Sequence, residues 1–77
     1  MPTRAYILME AAVGQVPQVV EALRSLPGIV SADAITGNFD IIALVEAPDM
    51  AGMADLVTSR VQGIPGVVRT ITCVAAG

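Results

Sequence analysis

The chain has 77 residues, a net charge of −3 and no histidine; this bounds it to one small domain and excludes the usual zinc sites and histidine-based acid–base catalysis. Lysine is absent and the four arginines, Arg4, Arg24, Arg60 and Arg69, are scattered, so the clustered cations that duplex binding needs are missing. Apolar residues make up 55% and charged residues 14%, more apolar side chain than a monomer of this size can hide when it buries only about 60% of its unfolded surface.

Thr3 to Ala12 reads as the first strand. Ala5, Ile7 and Met9 share one face, Tyr6 and Leu8 the other, and apolar residues on both faces predict a central strand. Gly14 marks a break. Val16, Val19, Val20, Leu23 and Leu26 then recur at helical spacing, with Gln15, Gln18, Glu21, Arg24 and Ser25 opposite. Pro17 is tolerated if the helix begins near Gln15, because first-turn N–H groups have no intrahelical partner. Pro27-Gly28 ends this helix.

A β-branched segment, Ile29 to Ile35, and an apolar one, Ile41 to Val45, flank Gly37-Asn38. Both turn residues tolerate positive φ, so the expectation is a tight hairpin with a two-residue type I′ or II′ turn. Asn38 and Asp40 have two readings at this point. They are ordinary turn residues that bond their own backbone, or they hold something.

The third strand closes at Ala47-Pro48. Asp49 is a good N-cap whose carboxylate also suits the helix dipole. The second helix carries Met50, Met53, Val57, Val61 and Ile64 on one face; Gly52 weakens it modestly, and Gly63 and Pro65-Gly66 stop it. Val67 to Val74 is the last strand, and Ala75-Ala76-Gly77 is expected to fray. Cys73 is the only cysteine, which leaves no intrachain disulfide or paired-thiolate metal site and reads as a small hydrophobe in a strand.

There is an internal repeat. Leu26-Pro27-Gly28-Ile29-Val30 matches Ile64-Pro65-Gly66-Val67-Val68, and upstream Val19 and Leu23 map onto Val57 and Val61. The chain is thus β-α-β twice, and right-handed crossovers give an α+β, ferredoxin-like βαββαβ sandwich. Its antiparallel sheet has the order 4-1-3-2, with both helices on one face. The other face carries Tyr6 and Leu8 with Ile42 and Leu44 or their alternates. Burying such side chains is worth about 1.5–3 kcal/mol each before association costs, so a sheet-to-sheet dimer is expected. A membrane is a poorer destination for the apolar surplus. The unbroken run Ile41 to Val45 is far short of the ~20 residues of a spanning helix, and the N-terminus has no signal-peptide pattern. A cytoplasmic location follows as the expectation.

No credible catalytic set is present. The acidic residues spread over the predicted elements, Ser25, Ser31 and Ser59 have no histidine or lysine to activate them, and Gly-Asn-Phe-Asp lacks the lysine and the following helix of a phosphate loop. Tyr6 and the helix methionines read as packing. No metal, cofactor or enzymatic activity is expected.

Four stretches in order carry a resemblance: Leu26-Pro27-Gly28-Ile29-Val30, Thr36-Gly37-Asn38-Phe39-Asp40-Ile41, Ala47-Pro48-Asp49, and Ile64-Pro65-Gly66-Val67-Val68-Arg69-Thr70-Ile71-Thr72. Together they resemble the effector-binding (RAM) domain of the Lrp/AsnC, leucine- and asparagine-responsive, transcriptional regulators, over nearly the whole chain. The resemblance implies dimers joined through the open sheet, often gathered into rings of eight. It also implies a small effector, usually an amino acid, bound between dimers beside the hairpin. Residue by residue, that role falls on Gly37, Asn38, Phe39 and Asp40, and further on Thr36, Thr70 and Thr72. Turn N–H groups would meet the effector's carboxylate and Asp40 its ammonium.

The family's regulators carry an N-terminal helix-turn-helix domain. Residues 1–77 read as a single effector-binding domain without one, so direct DNA regulation is not expected, and co-assembly with a full-length regulator would be the route to it. Two alternatives stand beside this reading. Small dimeric α+β barrel enzymes of monooxygenase and isomerase type share the fold, although their pocket would here be lined by Ala, Val, Ile and Met. A purely structural assembly module is the other.

Overall fold

A computed structural model describes residues 2–76. The elements are β1 (Thr3–Ala11), α1 (Val16–Arg24), β2 (Ile29–Ala34), β3 (Ile41–Ala47), α2 (Met50–Asp55) continued by a π-helical turn (Leu56–Val61), and β4 (Val67–Val74). The strands pair antiparallel in the order β2-β3-β1-β4. This is the expected ferredoxin-like βαββαβ unit, with β1 central; of the fraying expected at Ala75-Ala76-Gly77, Ala75 is instead tied to β1, its N–H donating to Arg4 O at 2.8 Å, and Gly77 lies outside the described residues.

The core forms where the two periodicities meet. Ala5, Ile7 and Met9 of β1, Ala32 of β2, and Ile41, Ala43, Val45 and Ala47 of β3 alternate toward the helices. Val19, Val20 and Leu23 of α1 and Met53, Val57, Val61 and Ile64 cover them together on that face. In α1, Pro17 sits in the first turn, where its missing N–H removes no helical bond. Ser25 and Leu26 close the helix through N–H bonds to Ala22 O and Leu23 O.

The repeated Pro-Gly pairs have a steric reason. Gly28 and Gly66 have φ of +92° and +99°, and a Cβ on Gly28 would come within 3.0 Å of the Glu46 carbonyl oxygen. A Cβ on Gly66 would meet Val19 Cγ2 at the same 3.0 Å. Each glycine thus lets the chain leave a helix and enter a strand while pressed against the facing element.

Asp49 caps α2 as expected, its Oδ1 accepting from Gly52 N–H at 2.7 Å. Two details of this helix differ from the sequence reading. Met50 lies at its first position and is 55% exposed, off the core face. Beyond Asp55 the helix widens, with Gln62 N–H donating to Val57 O at 3.0 Å, five residues back. A four-residue spacing drifts around an α-helix in one sense and around a π-turn in the other. The change of winding therefore keeps Met53, Val57 and Val61 all buried, and Leu56 joins them in part.

The face of the sheet turned away from the helices has no covering layer. Strand register fixes its rows: Leu44–Tyr6–Cys73, then Ile42–Leu8–Ile71. Of the alternates left open by the sequence, Ile42 and Leu44 take this face and Ile41, Ala43 and Val45 take the core. Ile71 and Cys73 extend the patch onto β4, with Tyr6 45% and Ile71 40% exposed. Leu8, Ile42 and Leu44 are already half-buried by their neighbours, so covering this face gains less than the full value of those side chains.

Candidate functional site

The expected two-residue turn is not what forms. The β2–β3 ladder ends at Ala34↔Ile41, and Ile35 N–H donates to Asp40 O at 2.9 Å, leaving Thr36–Phe39 as the tip. Gly37 has φ +111° and, among the described residues, no non-glycine residue has positive φ, which excludes a type I′ turn at Gly37-Asn38. The reason lies in Asp40, which is bound to a different strand. Its N–H donates to Met9 O at 2.9 Å, and its Oδ2 accepts from Ala11 N–H at 2.9 Å.

That second bond explains itself from register. The β1–β3 ladder stops at Met9↔Ile41, so Ala11, two residues on, has no β3 carbonyl opposite its N–H. The Asp40 carboxylate stands in for it, and a backbone donor that would otherwise be left without a protein partner is satisfied. On the other side of β1 the pairing also shifts: Glu10 faces Arg69 but Ala11 faces Val67. Val68 is thus the extra residue of a β-bulge, a device that re-aims side chains at sheet ends.

Around this end of the sheet the side chains carry charge. Glu10, one row beyond Leu8 on the open face, pairs with Arg69 on β4. Arg69 Nε is 3.3 Å from Glu10 Oε2, and its guanidinium carbon stands 5.3 Å from the centroid of the Phe39 ring, a cation–π contact. A groove of about 360 Å³, lined by Gln62, Val67, Val68, Arg69 and Thr70, opens beside the bulge. Sequence reading left Glu10 and Arg69 out. Their only signal was the family stretch containing Arg69, and the β1 register that pairs the two is invisible in a single segment.

The expected site residues therefore divide. Thr36, Gly37 and Asn38 are exposed at the loop tip, and Phe39 and Asp40 are half-buried beneath it. Thr70 and Thr72 pair with Met9 and Ile7, both core-facing, and so project to the helix side of the sheet. Thr70 Oγ1 accepts from Gln62 Nε2 at 3.2 Å. Thr72 lines a groove of about 250 Å³ beside Met50, Met53, Val57 and Val74. One protomer does not gather the loop and both threonines into a single pocket. A larger groove of about 530 Å³ beside α1 contains Arg24, but that cation is committed to Ala32 O at 3.0 Å and Asp33 at 3.5 Å. Among the described residues there is no cluster suited to a metal ion and no helix long and apolar enough to cross a membrane.

Residues 4–76 match the family model of the Lrp/AsnC ligand binding domain. No curated protein matches the chain. Among solved structures, a protein of Thermus thermophilus is similar with a TM-score of 0.90 and 32% identity, covering 95% of this chain and 91% of its own. AsnC of E. coli is similar with a TM-score of 0.91 and 18% identity, over 97% of this chain and 51% of its own. A transcriptional regulator of Neisseria meningitidis, solved as its complex with L-Met, has a TM-score of 0.87 and 18% identity over 97% of this chain and 50% of its own. At those identities the two regulators share the fold, and this chain spans about half the length of each.

Proposed function

The chain belongs to the family of Lrp/AsnC ligand binding domains, and from that premise we propose that it is a cytoplasmic, non-enzymatic module that binds an amino-acid effector and self-associates. In this reading two protomers join through the open faces of their sheets, and dimers gather into a ring of up to eight. The effector lies between dimers beside the Thr36–Asp40 loop. Thr70 and Thr72 of a neighbouring protomer complete the cleft that one protomer leaves divided. The observation that carries the reading is the family match across residues 4–76. The L-Met held by the Neisseria regulator supports the chemical class of the ligand, and the uncovered apolar rows of the sheet support the dimer.

A thermal-shift screen of the purified chain against the twenty amino acids tests this. One or a few should raise the melting temperature, since a ligand at a hundred times its Kd adds about 2.7 kcal/mol to stability. Silence across all twenty would leave the structural assembly module in its place.

The same reading places any gene regulation in a partner. The chain alone is expected not to bind DNA at physiological ionic strength. Its net charge is −3, and Arg24 and Arg69 are already paired with Asp33 and Glu10. A salt-sensitive gel shift by the chain alone would refute this. A shift that this chain alters only when a full-length regulator of the family is present would support co-assembly.

A further inference from the structure

We propose that the Glu10–Arg69 pair, steadied by Phe39, reads the effector's zwitterion, with Arg69 taking its α-carboxylate and Glu10 its ammonium. The inference rests on the function proposed above and names the groups that would carry it.

An amino acid presents one negative and one positive group a few ångströms apart, and a site that recognises both must offer the opposite charges at similar spacing. Among the described residues near the loop, Arg69 is the cation that meets this need. Arg24 is committed to β2, and Arg4 lies at the opposite end of β1, facing Glu46. Arg69 faces Glu10 through Nε, and its side chain is more than half exposed. A guanidinium offers five donors in a planar fork that matches a carboxylate. The Phe39 ring 5.3 Å away holds that plane, so less freedom is lost when a ligand docks.

Glu10 complements it. One oxygen, Oε2, faces Arg69, and Oε1 remains for an ammonium. Asp40, the more obvious acceptor, has its Oδ2 on Ala11 N–H and acts as a positioning residue: it holds β1 and the loop in the geometry that sets Glu10 and Phe39 beside Arg69. Of these three residues, Arg69 lines the groove of about 360 Å³, together with Gln62, Val67, Val68 and Thr70, a volume within the roughly 300–1,000 Å³ of small-molecule sites. It is open at the sheet edge, so a neighbouring protomer is needed to close it.

Calorimetric titration of the wild type, Arg69→Gln, Arg69→Lys and Glu10→Gln with the twenty L-amino acids tests this. For each amino acid that binds, its α-amide and its des-amino acid are titrated as well. Arg69→Gln should weaken the amino acid roughly 10- to 150-fold, the range of a hydrogen bond to a charged group, yet leave the α-amide almost unchanged, with partial rescue in Arg69→Lys. Glu10→Gln should weaken the amino acid similarly and leave the des-amino acid unchanged. A merely structural role would weaken all three ligands alike. An amino acid that binds Arg69→Gln and Glu10→Gln as tightly as the wild type overturns the inference and leaves the proposed function standing. If no amino acid binds the wild type, both fall together.

Discussion

Leu8→Asp is expected to convert the protein from a dimer or larger assembly into a monomer. Leu8 stands on the uncovered face of the central strand, between Ile42 of β3 and Ile71 of β4. In one protomer it is only half-buried, so the substitution leaves the fold itself intact. In a face-to-face dimer the carboxylate would have to leave water among apolar neighbours. An uncompensated buried charge costs about 3–5 kcal/mol, and a symmetric interface contains the change twice. Dimer affinity should therefore fall by at least about 10⁴-fold. Sedimentation velocity from low to high micromolar concentration reads this directly, with circular dichroism to check the fold and Leu8→Met as a volume-conserving control. A wild type that sediments as a folded 7.9 kDa monomer, or a Leu8→Asp variant that stays assembled, would remove the open sheet as the interface.

The second large effect is expected at Asp40, where two variants separate two roles. Asp40→Ala removes the acceptor of Ala11 N–H. Leaving that donor without its partner costs about 1–3 kcal/mol, and in a domain of this size each kcal/mol lowers the melting temperature by about 4–8 °C. Asp40→Asn keeps a side-chain carbonyl for the same bond and should melt close to the wild type. Ligand affinity then decides the remaining question. With Asp40 as a positioning residue, Asp40→Asn binds the amino acid as the wild type does. With Asp40 on the ammonium, the same variant loses roughly 10- to 150-fold at unchanged stability. An Asp40→Ala protein that melts like the wild type would show that the bond to Ala11 holds nothing together.

Leu8 and Asp40 also mark how far local sequence reaches in this protein. Apolar spacing in residues 16–26, the Asp49 cap, the Pro-Gly repeat and the alternation of Ala5, Ile7 and Met9 each act within a turn or two of chain. They were sufficient for the βαββαβ order, the sheet topology and an uncovered apolar face. Resemblance added the loop at Thr36–Asp40. The remaining features depend on partners distant in sequence and took shape only when the strands came together. β3 is apolar on both faces, and pairing with β1 is what sends Ile41, Ala43 and Val45 inward and Ile42 and Leu44 outward. The Gly37-Asn38 turn yields to a longer loop because the Asp40 side chain satisfies Ala11 N–H, 29 residues away. The β1–β4 pairing, unbroken as far as Glu10↔Arg69, puts Arg69 on the face of Glu10 while Thr70 and Thr72 face the helices. A residue's face is a matter of register, and register belongs to the pair of strands rather than to either segment.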